Sequence, residues 1–139
     1  MFIVIVGCGR VGSELASGLS RKGHQVTIID QVGSSFEHLP PDYHGRTIEA
    51  EVLSEDVLKN AGIEQAGGLA AVTNSDPVNA VVGHVARTIY QVPNVVVRNY
   101  DPRWQPLFEA FGLESVSSTA WGAQRIEELL QREGAGGGR

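Results

Sequence analysis

The chain has 139 residues, of which 42% are hydrophobic and 19% are charged, and its formal net charge is -5 at pH 7. This length and composition fit a single globular domain. The negative charge argues against a nucleic-acid partner, because such binding requires a basic surface. No apolar run approaches the ~18 residues that cross a bilayer, so we expect a cytoplasmic protein without direct membrane insertion. The single cysteine excludes an internal disulfide.

Apolar, β-branched runs alternate with amphipathic segments along the first half of the chain. In chain order, the pattern predicts a strand at 2–6, a helix at 10–22, a strand at 26–29, a short helix at 34–39 and a strand at 46–50. The first strand is apolar throughout, which is typical of a strand buried on both faces of a parallel sheet. Gly23 is expected to end the first helix in the left-handed conformation.

The same alternation continues through the second half. Ser54 is expected to cap a helix whose first turn holds Glu55 and Asp56. There follow a strand at 69–73, a helix from an Asp76 cap to residue 90, a strand at 95–98, a helix from an Asp101 cap to residue 111, a short strand at 115–117 and a last helix from residue 118 or 119 to 131. The fold predicted is α/β, a Rossmann-like doubly wound parallel sheet in a single domain at 1–133, followed by a glycine-rich flexible tail at 134–139.

A glycine-rich turn follows the first predicted strand. Gly7, Gly9 and Gly12 match the dinucleotide-binding pattern, in which they provide the tight turn, the close approach of a pyrophosphate and close helix–strand packing. The start of the next helix offers free N–H groups to phosphates. Asp30 ends the second strand, close to the ~20-residue spacing of an acid that binds a ribose. Its negative charge disfavours NADP, and the pattern predicts an adenine-nucleotide site.

Polar side chains also follow the other predicted strands. Glu51, Thr73 with Asn74, and Arg98 are candidates for contacts to ribose or adenine, to adenosine and to phosphate, respectively. Ligands of open α/β sheets bind beyond the carboxyl ends of the strands, although polar residues are common wherever strands end.

Two residues within the turn leave alternatives open. Arg10 is either a phosphate ligand or a solvated arginine at a helix start. Cys8 is either a thiol activated by the helix N-terminus or simply the small residue that the turn requires. The four histidines show no spacing typical of a metal site.

The chain resembles the RCK/KTN family, the nucleotide-binding N-terminal domains of Trk- and Ktr-type potassium-uptake regulators. The resemblance extends from Met1 to about Leu130. It rests on the stretches at 3–12, 26–30, 36–39, 45–49, 57–63, 72–76 and 95–102, and on Asn79. The stretches at 57–63 and 72–76 are more specific than the glycine motif.

This resemblance implies a regulatory domain or subunit and not an enzyme. It implies binding of ATP, ADP, AMP or NAD(H), assembly into a homodimer or larger ring, and control of a membrane channel or transporter for potassium or another cation, at the inner face of the membrane. The predicted cofactor-binding residues are Gly7, Cys8, Gly9, Arg10, Val11, Gly12, Asp30, Gln31, Ala50, Glu51, Thr73, Asn74 and Arg98. No catalytic or metal-binding residue is predicted.

The chain departs from the family pattern at two places near the expected nucleotide. Ala50-Glu51 replaces a common Gly-Asp pair, and Val32 stands where a second acid often follows Asp30. Two other functions are considered. An NAD-dependent oxidoreductase domain would need a substrate pocket and an acid–base pair, for which the sequence offers no candidate. A redox sensor would act through Cys8 and NADH.

Overall fold

A computed structural model describes residues 1–132, so the predicted tail at 134–139 lies outside the described residues. The strands are β1 (Phe2–Val6), β2 (Gln25–Asp30), β3 (Arg46–Glu49), β4 (Gly68–Ala71), β5 (Asn94–Arg98) and β6 (Glu114–Val116). The α-helices are α1 (Arg10–Arg21), α2 (Val57–Asn60), α3 (Asp76–His84), α4 (Gln105–Ala110) and α5 (Ser118–Leu130). Shorter turns are 3-10 helical at Gly33–His38, Ile63–Gln65 and Pro102–Trp104, and π-helical at Val85–Ile89.

The strands form one six-stranded sheet in the order β3-β2-β1-β4-β5-β6. Every neighbouring pair is parallel. The strand order reverses between β1 and β4. Strand β1 is central and pairs with β2 on one side and β4 on the other, so that Ile5 is in register with Ile28 and with Ala70. In such sheets the ligand crevice opens at the carboxyl ends of the strands, at this point of reversal. The predicted Rossmann-like fold is confirmed.

The core lies on both faces of the sheet. Alternate residues of β1 belong to separate apolar clusters, so that Val4 and Val6 pack on one face and Ile3 and Ile5 on the other. Because both faces of this strand are buried, its run is apolar without interruption. Truncation of Ile5 to alanine is expected to destabilise the fold by about 2–5 kcal/mol.

Helix α2 begins later than predicted. Asp56 precedes the helix in a left-handed conformation with φ 65°, and the Ser54 carbonyl, not its hydroxyl, accepts from the N–H of Val57. Ser54 is therefore not a side-chain cap, and the acidic pair at 55–56 lies before the helix and not in its first turn.

Helix α3 begins one residue earlier than predicted. The hydroxyl of Ser75 caps it by accepting from the N–H of Val78. Asp76 is instead the first helical residue, and its buried carboxylate accepts the backbone N–H groups of Tyr100 and Asp101 at 2.6 and 2.8 Å. Asp76, which the sequence predicted as the cap, therefore connects α3 to the segment after β5. The α-helical geometry ends at His84, and a π-helical turn completes the predicted length.

Candidate functional site

A cleft of about 560 Å³ opens at the carboxyl ends of the strands. It is lined by Val6, Gly7, Gly9, Arg10, Val11, Ile29, Asp30, Gln31, Val32, Ser35, Ala50, Glu51, Val52, Val72, Thr73, Asn74, Ser75, Val78 and Arg98. All the predicted cofactor-binding residues lie here except Cys8 and Gly12, which are buried. The sheet topology therefore brings together side chains that the sequence separates by almost a hundred residues.

The glycine turn has the geometry that its spacing predicts. Gly7 adopts φ +107°, which residues with a side chain rarely adopt, and its N–H donates to the Ile29 carbonyl. A Cβ at Gly12 would collide with the carbonyl oxygen of Gly7, so only glycine allows α1 to pack this closely. A Cβ at Gly9 would meet no other group within 4 Å among residues 1–132. Gly9 therefore borders open space, into which a ligand can come close to the backbone.

Helix α1 presents its N-terminus to the cleft. Its N-cap is Gly9, and no side chain caps it. The first N–H groups of a helix have no partner within the helix, and they carry the positive end of its dipole. Arg10 is the first helical residue and is exposed at the cleft. This end of the cleft is suited to an anion.

Asp30 holds the glycine turn against the end of β2. One carboxylate oxygen accepts the N–H of Cys8 at 2.8 Å, and the other accepts the N–H of Val32 at 2.8 Å. The sequence suggested a ribose contact for this residue and gave no sign of this second role. A carboxylate offers about four acceptor sites, so two remain for hydroxyl donors. The side chain is half-buried and faces the cleft.

Cys8 is fully buried beneath the turn. Burial, assisted by the Asp30 carboxylate, raises the pKa of its thiol from 9.0 to about 11. Reactive cysteines are exposed and have lowered pKa values, because the thiolate is the nucleophile. Of the two readings of Cys8, the structure favours the small residue in a tight turn.

Asn79 organises the opposite wall of the cleft and was not among the predicted site residues. It is fully buried on α3. Its Oδ1 accepts the N–H of Thr73 at 3.0 Å and the Thr73 hydroxyl at 2.7 Å. Its Nδ2 donates to the carbonyls of Thr73 and Arg98, each at 3.0 Å. One amide thus ties the ends of β4 and β5 together, which no short sequence pattern reveals.

The Thr73 hydroxyl is largely used within the protein. It donates to Asn79 and accepts the N–H of Ser75 at 3.0 Å. A hydroxyl has one hydrogen to donate, so Thr73 has only acceptor capacity left for a ligand. Its neighbour Asn74 is exposed and has both donor and acceptor groups at the cleft.

Arg98 ends β5 with its guanidinium over the ring of Tyr100, at 5.1 Å from the ring centroid. Its Nε is buried and has no hydrogen-bond partner among residues 1–132. A buried donor without an acceptor is unfavourable by roughly 1–3 kcal/mol, so a site that keeps one is suited to receive an acceptor from elsewhere.

Most of the lining that the sequence did not predict is apolar, and Ser35 and Ser75 are the polar exceptions. Val6, Ile29 and Val72 close the floor at the ends of β1, β2 and β4. Val32 and Val52 also line the cleft; Val32 is 50% exposed, whereas Val52 is buried. Small-molecule sites are typically apolar with a few placed polar groups, and this cleft has that character. The position of Val6, Ile29 and Val72 at or next to strand ends was the sequence signal that could have identified them as lining residues.

Two other kinds of site are absent from residues 1–132. None of the helices there is long and apolar enough to cross a membrane. Within the same range, no three histidine, cysteine, aspartate or glutamate residues are grouped so as to hold a metal ion.

Fold and cleft together define a Rossmann-type domain with a glycine-rich turn and an uncapped helix N-terminus at the point of strand reversal. Residues 3–119 match the TrkA-N domain family. The chain belongs to the TrkA-N domain family, which confirms the resemblance drawn from the sequence.

Relatives and solved structures extend this result. The chain is 41% identical over 135 residues to the Trk system potassium uptake protein TrkA of Streptomyces coelicolor, covering 97% of this chain and 60% of that protein. It is 34% identical over 136 residues to the protein of that name from Mycobacterium tuberculosis, covering 94% and 60%. The chain therefore spans about 60% of the length of these two relatives.

Among solved structures, the GsuK channel bound to NAD matches with a TM-score of 0.81 at 27% identity, over 94% of this chain and 23% of that one. GsuK bound to ADP matches with a TM-score of 0.80 at 27% identity, over 94% and 34%. The TrkA-N domain of the inner membrane protein ybaL from Escherichia coli shares the fold, with a TM-score of 0.82 at 20% identity over 94% and 96%.

Proposed function

We propose that this domain binds an adenine nucleotide in the cleft at the carboxyl ends of β1 and β4 and thereby regulates potassium uptake through a membrane transporter or channel. The buried Nε of Arg98, which lacks an acceptor among residues 1–132 at the edge of this cleft, is the observation that carries the binding proposal. The GsuK structures with NAD and with ADP support it, because they share this fold at 27% identity.

The residues present fit such a ligand. The two remaining acceptor sites of Asp30 suit ribose hydroxyls, and its charge disfavours the 2′-phosphate of NADP. The uncapped start of α1 at Gly9 suits phosphate, because it offers backbone N–H groups beside open space. Arg10 at the start of α1 and Arg98 at the end of β5 add positive charge to the lining of the cleft.

The adenine ring has an apolar place to bind. We place it against Val32 and Val52, which line the cleft after the neighbouring strands β2 and β3, with Gln31 and Glu51 supplying polar groups next to them in the chain. This description covers ATP, ADP, AMP and NAD(H), which share adenosine and phosphate. We propose all four as candidate ligands, since they differ only beyond the first phosphate.

The regulatory part of the proposal rests on the relatives, which are potassium uptake proteins. A nucleotide that binds two arrangements of paired domains with different affinity shifts the population between them. We propose that this domain works as a homodimer or larger ring at the cytoplasmic face of the membrane, and that a transporter or channel subunit responds to its arrangement. Chemistry on the nucleotide is not part of this function.

The experiment that tests the proposal is identification of small molecules released on denaturing the freshly purified protein, followed by titration of ATP, ADP, AMP, NAD, NADH and NADP. We expect an adenine nucleotide to be recovered and to rebind, with NADP the weakest ligand. Potassium uptake by cells that carry the full-length protein should fall when the same site is blocked. Recovery of no nucleotide, with no heat of binding for any of the six, would contradict the proposal.

A further inference from the structure

The backbone of Cys8 is held from two sides. Its N–H donates to Asp30, and its carbonyl lies 3.2 Å from Nδ1 of His38. The same Nδ1 lies 2.8 Å from the carbonyl oxygen of Ser35. His38 ends the 3-10 helix Gly33–His38, so this short helix after β2 reaches back to the glycine turn.

These contacts settle where the proton of His38 lies. Both partners of Nδ1 are carbonyl oxygens, which only accept hydrogen bonds. Nδ1 must therefore carry a hydrogen, shared between the two carbonyls. The neutral Nδ1–H tautomer and the imidazolium ion both satisfy this arrangement.

Fixing the Cys8 carbonyl also fixes the N–H of Gly9. The peptide group between these residues is planar and trans, so its C=O and N–H point in opposite directions. The Gly9 N–H is thus directed away from His38, which does not line the cleft, whereas Gly9 does. No acceptor for this N–H occurs among residues 1–132.

We infer that His38 is a positioning residue of the nucleotide site: by holding the Cys8 carbonyl, it aims the Gly9 N–H at a phosphate group of the ligand. This inference rests on the proposed function for the identity of the ligand, and on the hydrogen bonds of Cys8 for the geometry. His38 itself does not touch the nucleotide. Its contribution is to fix the orientation of the Gly9 N–H in the ligand-free protein.

The test compares three substitutions in the purified protein. His38→Phe removes the Nδ1 donor and keeps an aromatic ring. His38→Asn places an amide N–H close to the position of Nδ1 and should retain the contact. His44→Phe is the matched control, because His44 is exposed and outside the cleft like His38 but, within residues 1–132, forms no hydrogen bond to the glycine turn. Isothermal titration with ADP measures the effect on binding, and a thermal melt confirms that each variant is folded.

We expect His38→Phe to raise the Kd for ADP about three- to tenfold, the usual effect of losing one hydrogen bond. His38→Asn should stay within about twofold of the original protein, and His44→Phe should not change the Kd. Equal affinity in the protein with His38 and in His38→Phe would overturn the inference, and so would a loss that His38→Asn fails to restore.

A second measurement tests the inference in the absence of nucleotide. The amide resonance of Gly9 in the ligand-free protein should shift and exchange faster with solvent in His38→Phe, and should return towards its original position in His38→Asn. An unchanged Gly9 amide in both variants would overturn the inference. If the original protein binds no nucleotide, the proposed function fails, and the Gly9 amide still reports whether His38 holds the turn.

Discussion

The carboxylate of Asp30 accepts a 2.8 Å hydrogen bond from the backbone N–H of Cys8, which joins the end of β2 to the turn between β1 and α1. Asp30 also lines the cleft, and its carboxylate has acceptor sites left for a donor, which in the proposed site is a ribose hydroxyl. A change at this residue should therefore alter stability and binding together.

Asp30→Ala should weaken nucleotide binding by roughly tenfold or more and should also lower the melting temperature, because hydrogen bonds to a charged acceptor stabilise by about 1.5–3 kcal/mol. Calorimetric titration and thermal unfolding measure the two effects. Asp42→Ala is the control, since Asp42 is exposed and forms only a 3.6 Å surface ion pair with Arg21. A variant that loses neither affinity nor stability would show that Asp30 has no such double role.

The glycines of α1 should respond in opposite ways to the same added methyl group. Gly12→Ala should unfold or strongly destabilise the domain, because the new Cβ collides with the backbone of Gly7. Gly18 lies on the same helix, and a Cβ there would meet nothing within 4 Å in residues 1–132 apart from its own helix turn, so Gly18→Ala should stabilise by about 0.5–1 kcal/mol. Denaturant unfolding compares them. Similar stabilities for the two variants would contradict the close packing of α1 on the turn.

Arg98→Met should weaken binding of the phosphate-bearing ligand roughly tenfold, because it removes a positive charge while keeping a side chain of similar length against Tyr100. Arg103→Met is a suitable control, as Arg103 is exposed and pairs with Asp101. Titration with ADP measures both. If Arg98→Met binds as tightly as the control, the buried Nε does not serve the ligand.

Asn79→Ala should destabilise the domain by about 2–4 kcal/mol, since it removes an amide that bridges β4 and β5 and leaves buried backbone groups without partners. Urea unfolding gives the value. Asn60→Ala on the exposed side of α2 is the comparison and should change stability by no more than about 0.5 kcal/mol. A small effect at Asn79 would mean that the strand ends hold together without it.

The domain should lose stability at alkaline pH through Cys8. Burial raises the pKa of this thiol from 9.0 to about 11, so folding favours the protonated form. The stabilisation is complete below about pH 9 and is lost as the pH rises towards about 11. Burial also raises the pKa of Tyr43 from 10.0 to about 12, which extends the loss to higher pH. Urea unfolding across this range should show a smaller decline in Cys8→Ala, and equal declines would contradict the assignment.

The local parts of the site could be predicted from sequence. The strand–glycine turn–helix unit and the acid that ends the next strand lie within about thirty residues, and each has a recognisable residue type. Alternation of strands and helices then placed Thr73 and Arg98 at the same edge of the sheet.

The remaining features depend on tertiary contacts. Asn79 and His38 are among the residues that carry the family resemblance, but nothing near them in the sequence reveals their roles, because their partners include residues on other strands and turns. Ser75 and Asp76 are both good capping residues, and the choice between them is decided by the buried contact of Asp76 with the segment after β5.

The most direct test of nucleotide binding in this cleft is calorimetric titration of ATP, ADP and NAD into the original protein and into Gly9→Val. A side chain at Gly9 enters open space in the protein, so the variant should fold, yet it should occupy the position that the phosphates require. The account predicts binding of at least one of these ligands to the original protein and none to the folded variant. Equal affinity in the two proteins, or no binding to the original, would contradict it.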